Sequence, residues 1–313
     1  MRKTVSLLLG ISLIMVSCSQ KQSVYTISSD FKDCKSVTLD TAFYLDTVDE
    51  IKSLSFVNND LCVENNQADP VFTFYQTDGQ EVGHFGSYGH GNNEFVLPNI
   101  FVGINDSIMV LDGMSQQLYS LYDNKICSSK KLNVEGMDEV KTIKWPYIGY
   151  YCFERNKLAW KIYDLEKSQV IDTICFVGQK PYLEDFKWDI SSKGKVVFAY
   201  KYYHKFIICD LSSDNKIVNK TIFYEPNQKP QDSKCYYTDI ACSSDYFILL
   251  SLADVDVQDI SNAKSRIEIY DYDGNPLKQL TFNGLYLHMA WNDSEKRLYL
   301  VPLDGGVINY LQL

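Results

Sequence analysis

Six copies of one short pattern run through this chain. Each copy opens with an apolar triplet that leads towards a turn. Leu54-Ser55-Phe56 comes before Asn59-Asp60, and Ile100-Phe101-Val102 before Asn105-Asp106. Ile143-Lys144-Trp145 is the third copy, and Phe186-Lys187-Trp188 precedes Lys193-Gly194. Ile240-Ala241-Cys242 precedes Ser244-Asp245, and Met289-Ala290-Trp291 precedes Asn292-Asp293. The triplets start 46, 43, 43, 54 and 49 residues apart. A second apolar run follows each turn, as in residues 107–111, 195–199 and 297–301. A third run ends in an aromatic residue or cysteine, often before Asp, as at Tyr122-Asp123, Tyr163-Asp164, Cys209-Asp210 and Tyr270-Asp271. Turn residues such as Asp78-Gly79 and Asp273-Gly274 then lead into a fourth run.

Each unit therefore reads as four short strands joined by tight turns. No helical 3.6-residue period persists after the first residues. The high content of Tyr (23) and Phe (16) also favours strands. Four-strand units of this length are the signature of propeller blades. The expected fold is all-β, a six-bladed β-propeller of four-stranded antiparallel blades. The sixth unit stops after its third strand at Leu313, while residues 36–45 are strand-like and otherwise unassigned. That N-terminal strand is expected to complete the last blade and close the ring. A two-sheet sandwich would explain neither the six copies nor the spare strand.

The first residues carry an address. Arg2 and Lys3 precede an apolar run over 5–16. The run is too short to span a bilayer, which takes roughly 20 residues, and it suits a secretory signal. Met15-Val16-Ser17-Cys18 resembles a bacterial lipobox. The resemblance implies cleavage before Cys18 and lipid on its thiol. Three segments follow: signal peptide 1–17, lipidated tether 18–34 and propeller 35–313. Ser19 is not acidic and no acidic cluster follows Cys18. By likeness to lipoproteins of enteric bacteria and Bacteroidetes, this implies the outer membrane, facing the periplasm. From Cys18 onward, 28 basic residues face 40 acidic ones, a net charge of −12. Nucleic acid is excluded as an expected partner, since it demands a basic footprint.

Eight cysteines follow Cys18 and none forms a CxxC pair. Cys62, Cys152, Cys175 and Cys209 lie in apolar runs and read as buried free thiols. A Cys235–Cys242 pair stays open.

Residues 83–95 read Gly-His-Phe-Gly-Ser-Tyr-Gly-His-Gly-Asn-Asn-Glu-Phe, with Pro98 beyond. This stretch, continued over 110–118, resembles the repeat linker of NHL-like or TolB-like propellers. It is closest to the six-bladed lipoproteins of Bacteroidetes. Asn92 stands where proline is usual in them. The likeness implies the fold and says little of function, because propellers host many. The glycine loop has two readings. Its amides and His84, Tyr88, His90, Asn93 and Glu94 form a candidate ligand loop, or the glycines simply turn the chain while Glu94 and Phe95 pack. No GK[ST] follows, so it is no phosphate loop of the Walker type. A related propeller class, the peptide-amidating lyases, binds zinc through histidines. The four histidines here match no ligand motif, and no metal or cofactor is expected. Asp254, Asp256 and Asp259 lack the glycine and terminal Glu of a calcium loop.

Trp145, Trp188 and Trp291 share a place in their repeats and are expected to pack between blades; a sugar-stacking surface is the other option. Ser53, Asn99, Thr142, Asp185, Asp239 and His288 each stand just before a triplet. First strands of blades line a propeller's channel, so these six are expected to form a polar ring near one mouth. The leading expectation is a recognition or scaffold module for a glycan, peptide or envelope protein, held to a membrane by lipid. The alternative is a hydrolase or lyase at the channel mouth, with Asp185, Asp239 and His288 as its titratable groups.

Overall fold

The computed structural model describes residues 21–45, 50–66, 68–91, 94–122, 125–134, 136–154, 157–176, 184–226, 235–252 and 263–313. Cys18, Asn93 and the aspartates at 254, 256 and 259 lie outside them. Six antiparallel blades form a ring. Blade 1 is built from Ile51–Val57, Asp60–Asn65, Phe72–Tyr75 and Glu81–Phe85. Blade 2 runs through Pro98–Val102, Ile108–Asp112, Gln117–Tyr122 and Lys125–Lys131. Blade 3 is Asp138–Lys144, Tyr147–Glu154, Lys157–Asp164 and Gln169–Phe176. Blade 4 is Phe186–Ile190, Lys195–Tyr200, Lys205–Leu211 and Ile217–Tyr224. Blade 5 is Tyr237–Cys242, Tyr246–Ser251, Lys264–Asp271 and Pro276–Asn283. Blade 6 takes Tyr286–Asn292, Arg297–Pro302 and Val307–Gln312 from the C-terminus and Asp40–Tyr44 from the N-terminus.

That last pairing closes the ring as expected. Ile308 sits opposite Phe43, and Tyr310 opposite Asp40. The second strand is largely buried in most blades, as in Leu61–Asn65, Val196–Tyr200 and Phe247–Ser251, while in blade 3 the third strand, Lys157–Asp164, is the more buried. The second strand lies between two ladder partners and under two neighbouring blades, so near-continuous apolar residues suit it. The core is a circuit of clusters, each shared between adjacent blades.

The segment before residue 37 differs from a free tether. Lys21–Thr26 adds to blade 4 as a fifth strand, parallel to Ile217–Tyr224, with Lys21 opposite Asn219 and Thr26 opposite Tyr224. Ile27 and Phe31 are buried beneath it. Asp33–Ser36 then adds to blade 5, parallel to Pro276–Asn283. The polarity of 19–23 hid this, because an edge strand held mainly by backbone hydrogen bonds needs no apolar side. The eight cysteines are free thiols. Cys62, Cys152 and Cys209 are buried, but Cys175 is exposed on the outer strand of blade 3. Cys235 and Cys242 are separated by the extended strand Tyr237–Cys242, and a disulfide needs Cα atoms within about 7 Å.

Candidate functional site

The first strand of every blade faces the axis, and together they enclose a cavity of about 630 Å³. Ser53, Asn99, Thr142, Asp239 and His288 line it. Asp185 does not. It lies just before its strand, half-exposed, with Lys201 3.6 Å away. Lys187, two residues further on, lines the cavity in that blade, and so does Asp189. The period-2 alternation of a strand puts residues two apart on one face.

Several wall residues stitch one blade to the next. The Asn99 side-chain oxygen accepts the Val140 N–H at 3.1 Å, joining blades 2 and 3. Asp189 accepts the Cys242 N–H at 2.7 Å, joining blades 4 and 5. Asp239 accepts the Met289 N–H at 2.8 Å, joining blades 5 and 6, and its other oxygen takes the Ile240 N–H at 2.9 Å. Thr142 donates to the Val102 carbonyl. Buried backbone groups need partners, and these side chains supply them where no ladder joins the inner strands.

The same wall holds charges of both signs. Lys52 meets Glu64 at 2.6 Å, and Ser53 donates to Glu64 at 2.8 Å. Lys141 meets Asp189 at 3.1 Å, and Lys187 pairs with Glu139. Tyr151 donates to Asp138 at 3.0 Å. Sequence reasoning missed Lys52, Glu64, Asp138, Glu139, Lys141, Tyr151, Lys187 and Asp189. Alternation along 187–189 could have found the last pair. Glu64 and Tyr151 come from second strands and carry no signal of their own. In blade 3 a bulge moves the register, with Glu139 at φ 46°. No residue count across the repeat could foresee that.

Burial sets the ionisation of this wall. It lifts the Asp239 carboxyl to about 6, against the pull of Lys187, Lys141 and the two amides. It lifts Glu64 as well, although Lys52 and Ser53 oppose this. Burial pulls down on Lys141, but the carboxylates of Asp189, Asp239 and Glu139 outweigh it and hold the ammonium above its ordinary value. Lys187 is raised in the same way, chiefly by Glu139 and Asp239. Burial, with Lys187 and Lys201 nearby, drops His288 to about 3.

Asp239 and His288 then pull stability in opposite directions. A carboxyl raised on folding holds its proton more tightly when folded. It adds stability as pH falls from about 6 towards the ordinary 3.8. An imidazole lowered on folding resists its proton when folded. Its stability is complete above 6.5 and is lost as pH falls towards 3. The two nearly cancel in the wild type between pH 6 and 4. His288→Asn should therefore gain on the wild type by about 3 kcal/mol between pH 6.5 and 4. Urea titrations at both pH values measure this, and a constant difference between the proteins would refute it.

The glycine-rich linker lies elsewhere, between blades 1 and 2. Ser87–Tyr88 pairs in parallel with Glu94–Phe95. The Glu94 carboxylate accepts the Gly91 N–H at 2.6 Å. A Cβ on Gly89 would fall 2.1 Å from that carboxylate, and Gly89 has φ 152°. The loop thus closes over its own anion, while Phe95 is fully buried between Phe85 and Tyr119. Tyr88 donates to the Asn65 carbonyl at 2.7 Å. His84 is exposed beside Glu81, and His90 is exposed in the loop. The structure does not bring this loop to the channel, nor the four histidines together. Among the described residues no group of three or more His, Cys, Asp or Glu is placed to hold a metal.

Of the three tryptophans, only Trp188 is fully buried. Trp145 falls just after its strand, and Trp291 donates to Asp293 in its own turn at 3.0 Å. All three nevertheless pack against clusters shared between adjacent blades, as expected, and Trp291 of blade 6 meets Tyr246 of blade 5.

Six four-stranded blades around a polar axial cavity define a six-bladed β-propeller. The chain belongs to the DUF5128 family, described as 6-bladed beta-propeller, whose pattern matches residues 11–231. Among solved structures, a DUF4221 family member from Bacteroides vulgatus ATCC 8482 is similar with a TM-score of 0.59 at 12% identity, over 88% of this chain and 96% of that one. A candidate exported protein from Bacteroides fragilis NCTC 9343 gives 0.57 at 11% identity, over 92% and 98%. The Cps50 (Swd1) beta-propeller domain of Myceliophteria thermophila gives 0.55 at 8%, over 87% and 99%. At these identities the likeness is one of fold alone. No curated protein matches the chain by sequence.

Proposed function

We propose that this protein is a lipid-anchored, extracytoplasmic recognition module whose axial cavity takes a polar ligand bearing both charge signs, such as a short peptide. The observation that carries this reading is the cavity wall. Its size, about 630 Å³, lies within the usual range for small-ligand sites of roughly 300–1,000 Å³. Its lysines and carboxylates are fixed in pairs by the blades, a preorganised surface of the kind that gives specificity. The lipobox-like 15–18, the linker's likeness to NHL-type Bacteroidetes lipoproteins, and the exported Bacteroides fragilis neighbour support export. Attachment at the outer membrane, facing the periplasm, belongs to the same proposal. Glycans and envelope proteins are the competing ligands.

One observation favours the hydrolase or lyase reading. Asp239 sits near 6, where a carboxyl can both take and give a proton near neutral pH.

The test is the melting temperature of the protein from residue 19 onward against peptides, glycans and divalent metals, with and without EDTA. A ligand that binds only the folded state adds about 2.7 kcal/mol at a hundredfold excess over Kd. Peptides should raise the midpoint, and Lys187→Met should remove the rise. A shift with glycans alone would replace the ligand class, and a shift lost with EDTA would point to a metal site. Conversion of the ligand during the assay would decide for catalysis, and no shift at all would leave the cavity without the role proposed.

A further inference from the structure

Every strand in a blade has a direction, and the directions fix which face the chain enters from. The first and third strands of each blade run one way; the second and fourth return. The turns after first strands and after third strands therefore share one face, termed here the turn face. Examples are residues 191–194 and 212–216 in blade 4, and 293–296 in blade 6. Outer strands start at this face. Lys21–Thr26 runs parallel to the outer strand of blade 4, with Lys21 opposite Asn219. Lys21 thus stands near the turn face and Thr26 near the other.

Cys18 lies three residues before Lys21. Three residues reach at most about 11 Å from Cα to Cα. From Asn219 to the strand's end at Tyr224 the chain climbs five residues, about 17 Å. A lipid on Cys18 cannot bring the far face to a bilayer, but it holds the turn face within one short link of it. Most polar and charged residues of the channel lie towards the far end, with Lys141 mid-strand and Asp189 nearer the turn face. Asn99, Lys187, Asp239 and His288 are the second or third residues of their strands. Lys201, in the far-face turn of blade 4, is close enough to act on His288. Three turn-face lysines are paired, Lys167 with Asp164, Lys193 with Asp245 and Lys296 with Asp293, while Lys144 and Lys216 also lie exposed at this face.

We infer that the turn face lies against a lipid surface and that the charged end of the channel opens away from it. The inference rests on the lipid-anchor reading above. Lysine acetylation read by mass spectrometry tests it. The full lipidated protein in vesicles of phosphatidylethanolamine and phosphatidylglycerol is compared with a soluble Cys18→Ser variant. Lys167, Lys193 and Lys296 span blades 3, 4 and 6 on the turn face, with side chains 65%, 61% and 51% exposed. All three should react several-fold more slowly on vesicles. Lys201 on the far face and Lys35 on the outer edge of blade 5, 42% and 62% exposed, should be unchanged. Protection of Lys201 would overturn the orientation. Protection of Lys35 and Lys193 without Lys167 and Lys296 would show an edge-on molecule and overturn it too. Equal reactivity everywhere, with lipid found on the Cys18 peptide, would sink the inference and leave the anchor standing. A Cys18 peptide without lipid would remove the anchor, and the inference with it.

Discussion

Glu268→Ala should destabilise the protein by about 3–5 kcal/mol, the usual cost of removing one partner from a buried ion pair. Glu268 lies on the third strand of blade 5 and is 1% exposed. Arg266 approaches its carboxylate at 2.7 Å. The hydroxyls of Tyr237 and Tyr270 both donate to the same oxygen at 3.2 Å. Burial, with this carboxylate nearby, pushes both phenols above their ordinary range, so they remain donors at any working pH. Alanine would leave two buried hydroxyls without their acceptor and take the facing carboxylate from the Arg266 guanidinium, which also donates to Ser251 at 3.5 Å. Each unmet buried group adds its own desolvation cost. Glu268→Gln keeps the shape and one acceptor, and should lose less. Urea midpoints at unchanged slope measure both. A loss below about 1 kcal/mol for the alanine variant would mean that the cluster is wet or loosely held.

Trp188→Ala should cost about 3–5 kcal/mol as well, by leaving a cavity between blades 3 and 4. Trp188 is fully buried and meets Trp160 edge to face, 5.2 Å between ring centres. Its indole N–H donates to the Glu139 carbonyl at 2.9 Å. Gly149 makes the room, since a Cβ there would fall 2.5 Å from the Trp188 ring. Trp188→Phe fills part of the space and loses the hydrogen bond, so it should fall between. The near-ultraviolet circular dichroism of the indole pair gives a second readout. A stable alanine variant with that signal intact would show that these two blades are held chiefly by other contacts.

The blade pattern was legible because its causes are local. Alternation, β-branched and aromatic runs, and turns such as Asp78-Gly79 act within a few residues, and six repetitions make them readable. The closing strand was legible too, since a unit that lacks one strand and a spare strand at the far end have one economical solution. The fourth run expected after each turn is present as the outer strands Gln169–Phe176, Ile217–Tyr224 and Pro276–Asn283. The strands at Lys21–Thr26 and Asp33–Ser36 were not legible. Backbone ladders hold them, and a ladder leaves little trace in side-chain pattern.

The candidate site was legible only in outline. Asn99, Asp239 and His288 stood out as polar residues at strand starts. Asp185 stood out for the same reason and was misleading by two residues. Lys187 took its place because the strand begins only at Phe186, which leaves Asp185 beyond its end, while Lys187 is held within it opposite Ala199. By itself the sequence determined six blades, their order and the way the ring shuts, since local alternation and turns encode these. Only the tertiary structure decided which charges meet in the channel. Lys141 and Asp189 are 48 residues apart, and no local rule joins them. They meet because ring closure turns adjacent inner strands towards one axis.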